Sequence, residues 1–270
     1  MSIAIALQHV PYESPGRLVD AFRDFGIPLQ VRHLYKGDEV PTDLDEVRVL
    51  VVLGGPMGVA DVGNNKYPFL EQEVAVLKRL VAADRPVLAI CLGAQLLAFA
   101  AGAKVYPNVK PGAKPEDPPT PMPEFGWGPV TFPFPGGTEP IVMGLMDGAM
   151  MFHWHFDTFD LPKLPAPPPP PAGAPPGPPP PTGNALISST RTCKNQAFRF
   201  KNRLFGFQYH FEIDQAGIEA MLQNAGEDVV KVLGSEGIKK IREDTPRNGS
   251  RHARLGNRII QNFVQYLKVY

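Results

Sequence analysis

A cysteine at the junction of a predicted strand and a predicted helix could act as a nucleophile. Cys91 follows Arg85–Ile90, an apolar run typical of a buried parallel strand, and precedes Leu92–Ala101, whose leucines and alanines favour a helix. A helix N-terminus directs unpaired N–H groups and a positive dipole end at the sulfur, which favours the reactive thiolate. Small residues two positions before and after the cysteine suit a sharp, crowded turn. The residues alone also allow a buried structural cysteine, because free cysteine is among the most buried residue types.

A thiolate needs a base and a group that orients the base, and segment 208–212 contains both. This segment reads Gln-Tyr-His-Phe-Glu and overlaps the end of the predicted strand Leu204–His210. If the strand continues through Glu212, the side chains of His210 and Glu212 lie on the same face, because side chains alternate along a strand. The carboxylate could then hold the imidazole ring while the ring addresses a thiol. Such pairs also occur on solvated strands, so this pair alone is a weak signal.

Another group of polar residues has spacing compatible with a metal site. His153, His155 and Asp157 alternate along one face of a predicted strand, as ligands of zinc or iron can. No fourth ligand is evident in the sequence. We therefore predict that the protein uses neither a metal nor another cofactor.

The elements that position these residues alternate between strand and helix in the first half of the chain. Such alternation implies a parallel sheet with helices on both faces, and functional residues in such sheets gather at the carboxyl ends of strands. Gly54-Gly55 and Cys91 both follow predicted strands, and short spacings after Phe125 suggest antiparallel strands added to the parallel core. The predicted strands are Ile3–Val10, Leu29–Tyr35, Val47–Leu53, Arg85–Ile90, Phe125–Phe132, Ala149–Phe156, Ala185–Thr190, Gln196–Phe200 and Leu204–His210. The predicted helices are Pro15–Phe25, Tyr67–Ala83, Leu92–Ala101, one that follows the N-cap Asp214, and a terminal one through Leu255, Ile259, Phe263 and Leu267.

Composition narrows the class of protein. The 270 residues are 43% hydrophobic, with 27 basic and 27 acidic residues and a net charge of +0, which gives no reason to expect a nucleic-acid or membrane partner. Neither a signal peptide nor a membrane span is evident, and Cys91 and Cys193 lie far apart, so we expect a cytoplasmic protein without a disulfide framework. We predict one domain over residues 1–270, with an exposed proline-rich loop insertion at about residues 164–183.

Five short blocks of sequence carry a resemblance to a known family: Leu53-Gly54-Gly55-Pro56, Ala89-Ile90-Cys91-Leu92-Gly93-Ala94-Gln95, Glu124-Phe125-Gly126-Trp127, Trp154-His155-Phe156-Asp157 with Leu161-Pro162, and Phe207-Gln208-Tyr209-His210-Phe211-Glu212. In this order they resemble class I glutamine amidotransferases, and most closely the stand-alone proteins similar to the glutaminase domain of GMP synthase. The blocks span most of residues 3–212, and the cysteine block together with the His-x-Glu block is the specific part. Ala89 stands where the family usually has glycine, and Phe211 where it usually has proline.

The resemblance implies a fold, a reaction and a set of site residues. The fold is α/β: three layers around a doubly wound, mostly parallel sheet of the flavodoxin-like type, with antiparallel strands added. The reaction is hydrolysis of the side-chain amide of glutamine through a γ-glutamyl thioester, by a triad of Cys91, His210 and Glu212. The backbone N–H groups of Gly55 and Leu92 would form an oxyanion hole. The residues implied in oxyanion and substrate binding are Gly54, Gly55, Leu92, Gln95 and His155.

Three functional interpretations stay open at this point. No nucleotide-binding fingerprint or second domain is visible, so a glutaminase of this kind would pass its ammonia to a separate synthetase. A γ-glutamyl amide or peptide hydrolase would use the same triad without a partner. A binding or regulatory module would keep the fold with little turnover, and the cysteine and His-x-Glu blocks argue against it. We predict an enzyme of the first kind, with the second and the third as alternatives.

Overall fold

Eleven strands lie in the part of the chain that a computed structural model describes, which is residues 3–110, 120–165 and 183–269. They are β1 (Ile3–Gln8), β2 (Leu29–His33), β3 (Val47–Val52), β4 (Val87–Ile90), β5 (Val105–Pro107), β6 (Glu124–Val130), β7 (Ala149–His155), β8 (Asp157–Phe159), β9 (Asn184–Ser188), β10 (Ala197–Phe200) and β11 (Leu204–Phe207). Seven of them form the central sheet, in the order β2-β1-β3-β4-β11-β10-β9. All nine predicted strands therefore exist, with ends that coincide with the expected ones or differ from them by up to three residues, and β5 and β8 are additional.

The central sheet is parallel over most of its width. β1 pairs in parallel with β2 and β3, β3 with β4, and β4 with β11. β10 runs antiparallel to both β11 and β9 at one edge. β4 is buried along its whole length, as is usual when helices cover both faces of a parallel sheet. The predicted fold class, a mostly parallel α/β sheet with antiparallel strands added, is confirmed.

Five α-helices of the described residues flank the strands: α1 (Leu18–Asp24), α2 (Pro68–Ala82), α3 (Leu92–Ala100), α4 (Gln215–Gln223) and α5 (Glu227–Val269). On one face of the sheet, Phe22 of α1 and Phe263 of α5 lie in one buried apolar cluster. On the other face, Leu77 of α2 and Leu96 of α3 lie in a second cluster. The helix α5 contains the predicted terminal helix and is interrupted at Gly234, whose φ of 61° lies outside the helical region.

The last strand does not continue through Glu212, and it ends three residues before the predicted end at His210. β11 ends at Phe207, which pairs with Ile90 at the end of β4. Beyond Ile90 the chain of β4 turns into α3, so β11 has no parallel partner to extend along. His210 instead forms an isolated antiparallel bridge to Phe152 of β7. The neighbouring strands β6 and β7 pair with each other in a separate two-stranded sheet.

Two further expectations concern the proline-rich segment and membrane spans. Most of the predicted proline-rich insertion, residues 166–182, lies outside the described residues. Within the described ranges, none of the helices combines the length and the apolar character that crossing a bilayer requires.

Candidate active site

The turn between β4 and α3 holds Cys91 in an unusual backbone conformation. Its φ is 53° and its ψ is −113°, a region that residues other than glycine rarely adopt. Its N–H donates to the carbonyl of Phe207 at 2.8 Å, and its carbonyl accepts from the N–H of Gln95 at 3.2 Å. A Cβ at Gly93 would overlap the carbonyl oxygen of Val52, so only glycine allows α3 to start this close to β3. Strain of this kind collects at functional sites, where the surrounding structure holds it in place.

His210 and Glu212 form a buried pair near this turn. The Nδ1 atom of His210 lies 2.7 Å from Oε1 of Glu212, and the two residues are 0% and 3% exposed. The backbone N–H of His210 donates to the carbonyl of Phe152 at 2.8 Å, and its carbonyl accepts from the ring of His252 at 2.8 Å. The predicted contact between His210 and Glu212 is therefore made, although by an irregular segment rather than by one face of a strand.

The environment changes the proton affinity of both reactive groups. Burial opposes protonation of His210, but Glu212 and Cys91 together raise its pKa well above the ordinary value. Burial also raises the pKa of the Cys91 thiol, while His210 and the backbone N–H of Leu92 act in the opposite direction. The expected contribution of the helix N-terminus is thus present, but burial outweighs it. The Sγ atom of Cys91 donates a long hydrogen bond of 3.5 Å to the carbonyl of Trp154.

A cavity of about 270 Å³ opens beside Cys91. Four of the residues expected in oxyanion and substrate binding line it: Gly55, Leu92, Gln95 and His155. Gly54 does not line the cavity, and a Cβ at this position would lie 3.0 Å from Cε1 of His210. Aromatic side chains complete the wall, namely Tyr12, Phe125, Trp154 and Phe156. The cavity can therefore admit a small molecule with an apolar stem and a polar end to the sulfur.

Comparison with known proteins decides the family. The family model described as glutamine amidotransferase class-I matches residues 16–167, more than half of the chain. The chain belongs to this family. The matched range includes Cys91, whereas His210 and Glu212 lie beyond it.

Individual relatives support this family assignment. The amidotransferase is 26% identical over 238 residues to the glutamine amidotransferase-like protein YfeJ of Salmonella typhimurium, and the alignment covers 87% of this chain and 86% of that one. A glutamine amidotransferase structure from Thermotoga maritima aligns with a TM-score of 0.76 and 24% identity over 98% of both chains. A protein assigned as a GMP synthase subunit from Thermoplasma acidophilum aligns with a TM-score of 0.57 and 21% identity, over 100% of this chain and 96% of that one. At such identities the two structures establish a shared fold.

In this amidotransferase, the partly buried carboxylate of Glu124 holds the side chain of His155 in place. Nε2 of His155 lies 3.0 Å from Oε2 of Glu124, and Nδ1 donates to the backbone carbonyl of Asp157 at 2.9 Å. The carboxylate of Glu124 also accepts hydrogen bonds from two threonine hydroxyls and from the amide of Gln196. Burial opposes its ionisation, but His155 and the other partners lower the pKa of Glu124 to about 2. The carboxylate is therefore an anion that protein donors already surround.

The suggested metal-ligand set is not the one that the fold assembles. Asp157 contributes its backbone carbonyl to His155, and Glu124 takes its place beside the two rings. Three possible ligand atoms lie within 4.8 Å of one another, one from each of Glu124, His153 and His155, which is close enough to share an ion. A metal there would have to compete with the hydrogen bonds that hold Glu124.

Two polar residues beside the site were missed by the sequence analysis. Glu13 lines the cavity with Cys91, and its Oε2 would be overlapped by a Cβ at Gly54. His9 is buried with Nδ1 at 2.9 Å from the carbonyl of Gly54 and Nε2 at 3.0 Å from Glu73. Both residues follow the carboxyl end of β1, a position where functional residues gather in parallel sheets. The same rule that pointed to the ends of β3 and β4 could have found them.

Proposed function

We propose that this class I amidotransferase hydrolyses the side-chain amide of glutamine to glutamate and ammonia through a γ-glutamyl thioester on Cys91. The observation that carries the proposal is the strained turn that presents Cys91 to a cavity beside the buried His210–Glu212 pair. A nucleophile, a base and a residue that orients the base are the three parts of a catalytic triad.

The proposed chemistry assigns each proton to a named atom. The Cys91 thiol transfers its proton to Nε2 of His210 as the sulfur bonds to the amide carbon. The C–N bond then breaks while His210 returns the proton to the nitrogen, and ammonia leaves. Water next gives a proton to His210 and bonds to the acyl carbon, the C–S bond breaks, and the sulfur recovers its proton. The raised pKa of His210 suits a ring that must hold a proton during these steps, and Glu212 stabilises that imidazolium.

The proposed oxyanion hole consists of the backbone N–H groups of Gly55 and Leu92. Leu92 is the first residue of α3, so its N–H has no acceptor within the helix. His9 lies at hydrogen-bond distance from the carbonyl of Gly54, and in a trans peptide the next N–H points in the opposite direction. This contact therefore directs the N–H of Gly55 away from His9. Donors that are fixed in advance stabilise the negative charge that develops on the amide oxygen.

Gln95 and the backbone around His155 are the proposed contacts of the substrate beyond its reacting amide. Both line the cavity, and both are held by partners outside it: Gln95 by Gln208 at 3.2 Å and His155 by Glu124. A side chain such as Gln95, and a backbone segment anchored through the ring of His155, bind a ligand with little further loss of conformational freedom. We further propose that the ammonia serves a separate synthetase, and that the protein acts in the cytoplasm.

The test is release of ammonia and glutamate from glutamine by the purified protein, with γ-glutamyl dipeptides assayed in parallel. We expect Cys91→Ala to abolish turnover, because it removes the nucleophile. The matched control is Cys193→Ala, which removes a buried thiol that is hydrogen-bonded to Thr158 and does not line the cavity. Full activity of Cys91→Ala would refute the mechanism. Turnover of dipeptides without turnover of glutamine would instead make the protein a γ-glutamyl hydrolase that needs no partner.

A further inference from the structure

Glu13 is a buried carboxyl group with an unused acceptor. The residue is only 6% exposed, and its Oε2 makes no hydrogen bond within the described part of the chain. An unpaired polar atom at such a depth costs free energy, so its retention calls for a ligand that pairs with it. Glu13 lines the same cavity as Cys91, Leu92 and Gln95. A molecule in that cavity can therefore supply the missing donor.

The position of Glu13 relative to the reactive groups narrows the kind of donor. Oε2 of Glu13 and Cε1 of His210 both approach the open side of Gly54: a Cβ there would overlap the first atom and lie 3.0 Å from the second. Burial raises the pKa of Glu13, the neighbouring His210 and His9 oppose this, and Glu212 adds to it. Glu13 in turn raises the pKa of Cys91 and of Tyr12. The acceptor thus lies beside the imidazole edge, in the cavity that Cys91 also lines.

We propose that Glu13 forms a leaving-group subsite, in which Oε2 accepts a hydrogen bond from the nitrogen that departs from the substrate amide. The inference rests on the proposed function, since it concerns the same bond cleavage. The nitrogen is the substrate atom that must meet His210, because His210 protonates it. It carries two hydrogens in a primary amide and three as ammonia, and His210 supplies only one of these. An acceptor beside the ring can hold one of the others without any transfer of its proton.

A pair of substrates isolates this contact. Glutamine and the γ-methyl ester of L-glutamate form the same thioester on Cys91, but the ester releases methanol, whose oxygen bears no hydrogen until His210 protonates it. A hydrogen bond to a charged group contributes about 1.5 to 3 kcal/mol. We therefore expect Glu13→Ala to lower kcat/KM for glutamine by about 10- to 100-fold. For the ester we expect a change below about threefold, because the interaction does not exist there.

Two further variants keep the result interpretable. Glu13→Gln preserves the shape of the side chain and an uncharged acceptor, so its kcat/KM for glutamine should fall between those of wild type and Glu13→Ala. Glu71→Gln removes an exposed carboxylate on α2 and should leave both rates unchanged. The melting temperature of each variant reports whether it folds, and Glu13→Gln decides the matter if Glu13→Ala does not.

Each outcome has a definite meaning. Equal losses on the amide and the ester would overturn the inference and leave Glu13 a structural residue. Unchanged rates on both would overturn it as well. A wild-type protein that cleaves neither substrate would refute the proposed function itself, and the subsite with it. If the wild-type protein cleaves both substrates, the Glu13 variants test the subsite alone, and its failure would leave the proposed function intact.

Discussion

Replacing Glu212 with glutamine tests the proposed division of labour in the active site. The substitution keeps the size of the side chain but removes the charge that lies 2.7 Å from Nδ1 of His210. At an effective dielectric constant of about 20, two unit charges at that distance attract by about 6 kcal/mol. Desolvation of the buried pair offsets part of this energy. We therefore expect kcat/KM for glutamine to fall by about 10³ to 10⁴, which corresponds to about 4 to 5.5 kcal/mol of transition-state stabilisation.

The pH profile gives this prediction a second readout. Glu212 is one of the two groups that raise the pKa of His210, so its removal must lower that pKa. The acidic limb of the kcat/KM profile, where His210 gains a proton and can no longer accept one from the Cys91 thiol, should then move to lower pH. The control is Glu219→Gln, which removes an exposed carboxylate paired with Arg242 on the surface. Activity above one tenth of wild type, with an unmoved acidic limb, would refute the assignment of Glu212 as the group that orients His210.

Two other predictions concern stability. Gly93→Ala should destabilise the fold by about 1 to 3 kcal/mol, because the new Cβ overlaps the backbone oxygen of Val52 and this oxygen cannot move unless β3 moves as well. An unchanged melting temperature would contradict the packing described here. The pKa of Glu124 is lowered from its ordinary value of 4.5 to about 2 in the folded protein. Its ionised form therefore adds about 3 kcal/mol to the free energy of unfolding above pH 4.5, and this contribution is lost as the pH falls towards 2. Denaturant unfolding between pH 7 and pH 2 should show a weaker loss of stability for Glu124→Gln than for wild type, and parallel curves would disprove the linkage.

The sequence by itself was sufficient for the parts of this protein that depend on local pattern. The turn at Cys91 follows from an apolar strand, a helix former and small flanking residues, and all three lie within about a dozen positions. The alternation of strands and helices predicted a parallel sheet for the same reason, because hydrophobic periodicity is a property of neighbouring residues. Asp214 caps α4 as expected, with Oδ1 accepting from the N–H of Gly217 at 2.8 Å.

Only the tertiary structure decided which distant residues meet. His210 and Glu212 reach each other although β11 ends at Phe207, because a bridge to Phe152 holds the segment once β4 has turned away. Glu124 lies beside His153 and His155 because β6 pairs with β7, and nothing in the spacing of the two histidines reveals that partner. Glu13 enters the site because the ends of β1, β3 and β4 are adjacent in the sheet. Such contacts depend on strand order and packing over long separations, and these are set by the burial of the whole core rather than by any single segment.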